Sequence, residues 1–167
     1  QGALARHRRR RARGTRALDV GLTSDLGPGP VAVDAALFIY LIEEDARYLP
    51  AVRPLFLEAD RGERLIVTSA ITLLEVLVVP LRDGDAQLAE RYEQLITRSR
   101  GVRVMDVTRG AIRAAAQLRA ATGVKTPDAL QLAAALGAGC GTFLTNDRRL
   151  PAIPGLRVVQ LSSYARR

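Results

Sequence analysis

Val31-Ala32-Val33-Asp34-Ala35-Ala36-Leu37-Phe38-Ile39-Tyr40-Leu41 is the stretch that decides the fold of this chain. Three residues of strand character end at an acid. A helix is expected over Ala35 to Glu44, because Leu37, Phe38, Leu41 and Ile42 recur at helical spacing on one face. A strand feeding directly into a helix opens a βα unit, and the same alternation returns along the chain. Leu65-Ile66-Val67, closed by Thr68-Ser69, leads into an apolar helix from Ala70 to Leu81, with Ser69 as its N-cap. Val102 to Val107 forms a third strand, followed by a helix from Thr108 to Thr122 that Gly123 ends. Gly141 to Thr145 is the fourth strand, and Arg157-Val158-Val159 adds a fifth at an edge. Helices are also expected at 47–62 and 85–100, with Gly84 as the break before the latter. A last helix runs from Thr126, as N-cap before Pro127, to Gly139. Short β-branched runs alternating with longer helical ones predict an α/β fold, a parallel sheet of four to five strands covered by helices.

Upstream of residue 31 the pattern vanishes. Residues 1–30 hold seven arginines against Asp19 and Asp25, which is +5 of the net charge of +8, and end in Gly27-Pro28-Gly29-Pro30. They read as a basic, flexible N-terminal tail, either a polyanion-binding arm or an extension outside the folded domain, with the domain at 31–167. The chain has 167 residues and 48% hydrophobic composition, enough for one core that buries roughly 70% of the unfolded surface without staples. No stretch approaches the ~20 apolar residues of a membrane span, and the start lacks the order of a secretory signal, so the expected location is the cytoplasm.

Composition also excludes chemistry. Cys140 is the lone cysteine and His7, inside the arginine run, the lone histidine. No internal disulfide or Cys/His zinc site can be assembled, and a serine or cysteine nucleophile would lack a histidine base. Carboxylates remain. In an open α/β sheet, ligands bind beyond the carboxyl ends of the strands. Asp34 closes the first strand and Asp147 follows the fourth by two residues, while Glu75 and Asp128 stand near helix starts. Each has a bland explanation taken singly: Asp34 as a helix cap, Asp128 as a first-turn acid on the helix dipole, Asp147 as a turn residue. Glu75 resists one, because all its neighbours from Ile71 to Val79 except Thr72 are apolar, so it is expected in a largely buried stretch and needs a cation, arginine or metal. Several acids converging on one site repel unless a multivalent cation offsets them, and all-oxygen ligation suits Mg²⁺ or Mn²⁺.

Four stretches together resemble the PIN-domain ribonucleases, and within them the VapC-type toxins of bacterial toxin–antitoxin pairs. They are Val33 to Leu41, Thr68-Ser69 through Glu75, Thr126-Pro127-Asp128-Ala129-Leu130-Gln131-Leu132-Ala133-Ala134-Ala135, and Thr142-Phe143-Leu144-Thr145-Asn146-Asp147. The resemblance spans about residues 31–164. It implies an α/β/α sandwich whose acidic cluster binds Mg²⁺ or Mn²⁺ and hydrolyses RNA endonucleolytically. By position it makes Asp34, Glu75, Asp128 and Asp147 the catalytic quartet, with Asp34 and Asp128 as main metal ligands, Glu75 assisting and Asp147 acting through water. Thr145 and Asn146 match the polar residues that support the fourth acid. One position departs, since Ala36 stands where the family commonly has a small polar residue. The resemblance further implies a small antitoxin partner that occludes the acidic groove, and a homodimer.

Independently of it, Arg148 and Arg149 follow Asp147 and are candidates for phosphate contact. Seven aromatics are few for base stacking, with Tyr40 and Tyr48 the residues available for it. Two other classes compete. A binding module of the same fold would hold RNA or an antitoxin without cutting. A phosphotransfer domain fits badly, because Ala36 occupies the place of the second aspartate a dehalogenase-like phosphatase needs, and the only lysine, Lys125, precedes a helix instead of closing a late strand as in a receiver domain.

Overall fold

The computed structural model describes residues 21–165. Five strands are all parallel: β1 (Val31–Val33), β2 (Ile66–Ser69), β3 (Val102–Met105), β4 (Thr142–Thr145) and β5 (Arg157–Gln160), in the spatial order β3-β2-β1-β4-β5. Between them run α1 (Ala35–Ile42), α2 (Leu49–Asp60), α3 (Ile71–Asp83), α4 (Ala86–Arg98), α5 (Arg109–Thr122) and α6 (Thr126–Gly137). The chain steps outward from β1 to β3 on one side, then returns to place β4 on the other side of β1. The strand order therefore reverses between β1 and β4, and the crevice beyond their carboxyl ends is the topological switch point where ligands bind in such sheets.

Strand alternation divides the core. Val31, Val33, Ile66 and Leu144 point to one face, where Leu37, Phe38, Val52, Leu55, Tyr92 and Ile96 from α1, α2 and α4 cover them. Ala32, Val67 and Phe143 point to the other, beneath Ala115 of α5 and Ala129, Leu132 and Ala133 of α6. The result is the three-layer α/β/α sandwich expected from the sequence. Among the described residues, no helix is long and apolar enough to cross a membrane.

Local signals hold at several termini and shift at others. Gly84 and Gly123 end α3 and α5 with φ of 75° and 74°, a left-handed conformation that costs glycine nothing. Thr108 caps α5, its side chain accepting from Ala111 N. The cap expected from Ser69 is displaced: Ser69 stays in β2 and Ala70 holds the cap position, while Ser69 Oγ accepts from Ile71 N at 3.4 Å. Thr126 is likewise the first helical residue, with Lys125 at the cap, because its hydroxyl accepts instead from Arg119 Nη1 at 2.9 Å. The first helix stops at Ile42, since Glu44 adopts φ 54°.

The arginine run at 6–16 lies outside the described residues, but the segment just before β1 does not behave as a tail. Residues 21–25 are helical, and Leu22 and Leu26 are buried in the core of the α1/α2/α4 face. Arg64 pins the segment in place, donating to Gly27 O at 2.9 Å and Thr23 O at 3.1 Å while its Nε pairs with Glu58 at 2.7 Å. Tyr164 Oη donates to Asp25 at 2.7 Å from the far end of the chain. The packed unit thus starts before the boundary expected at residue 31. Leu22→Ala is expected to cost about 2–4 kcal/mol, the loss for a buried leucine, measured by urea unfolding; a variant within about 0.5 kcal/mol of wild type would show the segment to be an ornament.

Candidate active site

Asp34, Glu75, Asp128 and Asp147 come from four separate elements and line one cavity of about 150 Å³, together with Ala36, Gln131 and Thr145. The cavity sits beyond the carboxyl ends of β1 and β4. Asp34 leaves β1 there and caps α1, its Oδ1 accepting from Ala36 N at 3.0 Å. Capping uses one oxygen only, so the role of cap does not compete with a place in the site. The other oxygen accepts from Thr145 Oγ1, which in turn accepts from Asp147 N at 2.9 Å. Thr145, fully buried at the end of β4, therefore fixes the first acid and the loop of the fourth together.

Asn146 braces that loop from outside. Its Oδ1 accepts from Ser162 N at 2.8 Å and its Nδ2 donates to Tyr40 Oη at 3.2 Å. Tyr40 and Tyr48, the candidates for base stacking, stack on each other at 4.4 Å between centroids, with the Arg47 guanidinium 5.3 Å from the Tyr48 ring.

Glu75 departs from the burial that its apolar neighbours predict. α3 buries only the stripe Thr72, Val76 and Pro80, so Glu75 is exposed at the rim of the cavity with Leu74 and Val78 beside it. Among the described residues no arginine or lysine pairs with it; its partner is the Gln131 amide, at 3.5 Å. Gln131, which the sequence reading passed over, is buried at the centre of a polar network. Its Nε2 donates to Thr72 Oγ1 at 2.6 Å, and its Oε1 accepts from Ser69 N at 3.2 Å. The available signal was a glutamine one turn beyond Asp128 on an otherwise apolar face of α6.

Each acid burdens its neighbour. The Asp34 carboxyl stands at about 6, because burial and, to a smaller degree, the charge of Glu75 raise it by more than its bonds from Thr145 and Ala36 lower it. Glu75, exposed as a residue, has its carboxyl partly desolvated where it borders the cavity and is raised by that and by Asp128, against the Gln131 bond; Asp128 is raised by partial burial and by Asp147, against Arg149 and Lys125. Asp147 alone is lowered, to about 2, because Arg149 grips it from side chain and backbone. The acids are gathered but not closed. Among the described residues no three form a compact ligating group, and Asp147 is held to one side by its arginine at 2.8 and 2.9 Å. The donor set nonetheless fits a hard divalent ion: four carboxylates, no nitrogen or sulfur, and mutual repulsion at the Asp34 and Glu75 end that no basic side chain of the described residues offsets.

The PIN domain family model matches residues 31–156. The chain belongs to the PIN-domain family. Solved structures of toxin–antitoxin proteins share its fold. The VapBC2 complex of Rickettsia felis, bound to a DNA fragment from its promoter, superposes with a TM-score of 0.61 at 17% identity over 78% of this chain and 98% of that one. The DNA-bound VapBC of Salmonella typhimurium gives 0.57 at 22% identity over 80% and 99%. VapC20 of Mycobacterium tuberculosis, described as a toxin that cleaves the sarcin-ricin loop, gives 0.55 at 18% identity over 68% and 86%. No curated protein matches the chain. At these identities the structures speak for the fold, and they agree with the PIN topology read from the sheet. The helical segment at 21–25 lies outside the residues that the family model matches.

Proposed function

We propose that this PIN domain is a divalent-metal-dependent endoribonuclease, the toxin of a toxin–antitoxin pair. The observation that carries the reading is the convergence of four carboxylates from four elements at the switch point of the sheet, with uncompensated charge at one end. Asp34 and Asp128 would hold Mg²⁺ or Mn²⁺, with Glu75 assisting and Asp147 reaching it through water. Such an ion, when bound, activates water and stabilises phosphoryl oxygens in a displacement that needs no histidine. The chain's own residues supply the frame. Thr145 and Ala36 N orient the Asp34 carboxylate, Gln131 orients Glu75, and Asn146 fixes the loop that carries Asp147. Arg149, exposed in a depression that shares Asp128 and Asp147 with the cavity, and Arg148, exposed next to it in the chain, would meet RNA phosphates. Ala36 takes part through its backbone N–H, a contact that any residue but proline could make at that position.

Two protein partners follow. The solved relatives are toxin–antitoxin complexes, which supports a small antitoxin that covers the acidic groove. α3 leaves Leu74, Val78 and Leu81 exposed at 61%, 51% and 63%, an apolar face too continuous for an isolated surface. We place the second copy of a homodimer there. Val78→Asp is expected to convert the dimer to a folded monomer in light scattering; an unchanged mass would remove α3 from the interface.

The deciding experiment is cleavage of total RNA by the purified chain with Mg²⁺, with Mn²⁺ and with EDTA. Discrete cuts that require either ion are expected. RNA binding without cleavage in any of the three would favour a binding module instead.

A further inference from the structure

Among the described residues, Asp147 is the one acid of the cavity that has an ion-pair partner. Arg149 binds it through Nε to Oδ1 at 2.9 Å and Nη2 to Oδ2 at 2.8 Å, and the backbone N of residue 149 adds a third bond to Oδ1 at 2.8 Å. The pair is lopsided in exposure: the arginine side chain is 76% exposed and the aspartate 23%. A second depression shares Asp128 and Asp147 with the acid cavity, and it adds Lys125 and Arg149 to the lining. Lys125 is the only lysine of the chain. The two depressions give the site a polarity: Asp34 and Glu75 at an end without a basic neighbour among the described residues, Asp128 and Asp147 at an end that carries two.

The guanidinium fork fits one carboxylate or one phosphate with two parallel bonds, and cannot serve both at once. We infer that Arg149 and Lys125 form the phosphate-binding end of the site, and that an RNA phosphate displaces Asp147 from Arg149, so that RNA and the divalent ion bind cooperatively. The inference rests on the nuclease reading above and deepens it. An exposed ion pair is weak, so the exchange is cheap. The Asx-type turn survives it, because the backbone N of residue 149 still holds Oδ1. Oδ2, left without its guanidinium partner, is then free to face a cation. Without RNA, Arg149 competes with the ion for Asp147 and keeps metal affinity low. Coupling of this kind is reciprocal: the factor by which RNA tightens the ion is the factor by which the ion tightens RNA.

The test is a Mn²⁺ titration followed by the electron paramagnetic resonance of the free ion. It uses wild type and Arg149→Gln, with and without a 2′-O-methyl phosphorothioate oligoribonucleotide shown on a gel to remain intact. Oligonucleotide is expected to tighten Mn²⁺ on the wild type by about 2–5-fold, the scale of an exposed ion pair. Arg149→Gln is expected to bind Mn²⁺ tighter by the same factor without oligonucleotide, and to lose the coupling. Equal Mn²⁺ affinity of the two free proteins, or undiminished coupling in the variant, overturns the inference while the nuclease reading stands. A wild type that binds oligonucleotide but no Mn²⁺ under either condition overturns both.

Discussion

Asp34→Asn is expected to abolish RNA cleavage, by about 10²–10³-fold or more, the loss that follows removal of a group stabilising transition-state charge, and at the same time to stabilise the metal-free protein. The two effects have one cause. Asp34 is carried up to about 6 from an ordinary 3.8 because its site is buried and faces Glu75, so at neutral pH the fold maintains a carboxylate it would prefer to protonate. A raised carboxyl contributes stability that is fully present below the unfolded value near 4 and is lost as pH rises through about 6. A shift of that size corresponds to about 3 kcal/mol. Asparagine caps a helix as well as aspartate does, so α1 keeps its start. In EDTA the variant should therefore match wild type below pH 4 and exceed it by up to about 3 kcal/mol above pH 7, read by urea unfolding at the two ends of that window. Mn²⁺ should raise wild-type stability at pH 7.5 and leave the variant little changed. A variant no more stable than wild type at pH 7.5 in EDTA would show that Asp34 carries no uncompensated charge.

Gln131→Leu is expected to be the most damaging change behind the site, at about 2–4 kcal/mol, or roughly 5–15 °C in melting temperature for a domain of this size. Ile66 N and Ala70 N donate toward β3, to Gly101 O and Met105 O, so by alternation Ser69 N faces the β1 side. β1 has already ended at Val33, and the Gln131 Oε1 stands in for the missing strand residue. Leucine fills the volume but orphans this buried N–H and removes the donor to Thr72. Gln131→Glu separates the roles: it keeps the acceptor for Ser69 and sets a further carboxylate against Glu75. Its expected signature is low stability in EDTA with a larger recovery on adding Mn²⁺ than wild type shows. If Gln131→Leu melts within about 2 °C of wild type, the network does not hold the site, and Glu75 must be oriented by something else.

By itself, the sequence determined what short-range physics controls. β1, β4 and β5 fall where β-branched and apolar runs were read, and α5 starts and stops at Thr108 and Gly123, because a cap hydroxyl and a left-handed glycine act within a few residues. Asp34 and Asp147 stand at strand ends for the same reason, and the parallel order of the strands follows from helices long enough to cross back over the sheet. Tertiary packing decided the rest. Around Glu75 every residue but Thr72 is apolar, which locally reads as burial; which stripe of α3 turns inward is set by the elements packed against it, with Thr72 facing Gln131 of α6 and Val76 in the α1/α2/α4 core, and only Thr72, Val76 and Pro80 are fully buried. Leu22 and Leu26 look like stray apolar residues in a basic tail until Arg64, some 40 positions later, gathers the carbonyls of their segment. Nothing near Asp147 in sequence says that Arg149, and not Arg148, grips it, nor that a glutamine from α6 replaces a strand beside Ser69. Those choices depend on distance in space between groups far apart or equally placed in the chain, and only the closed fold makes that distance definite.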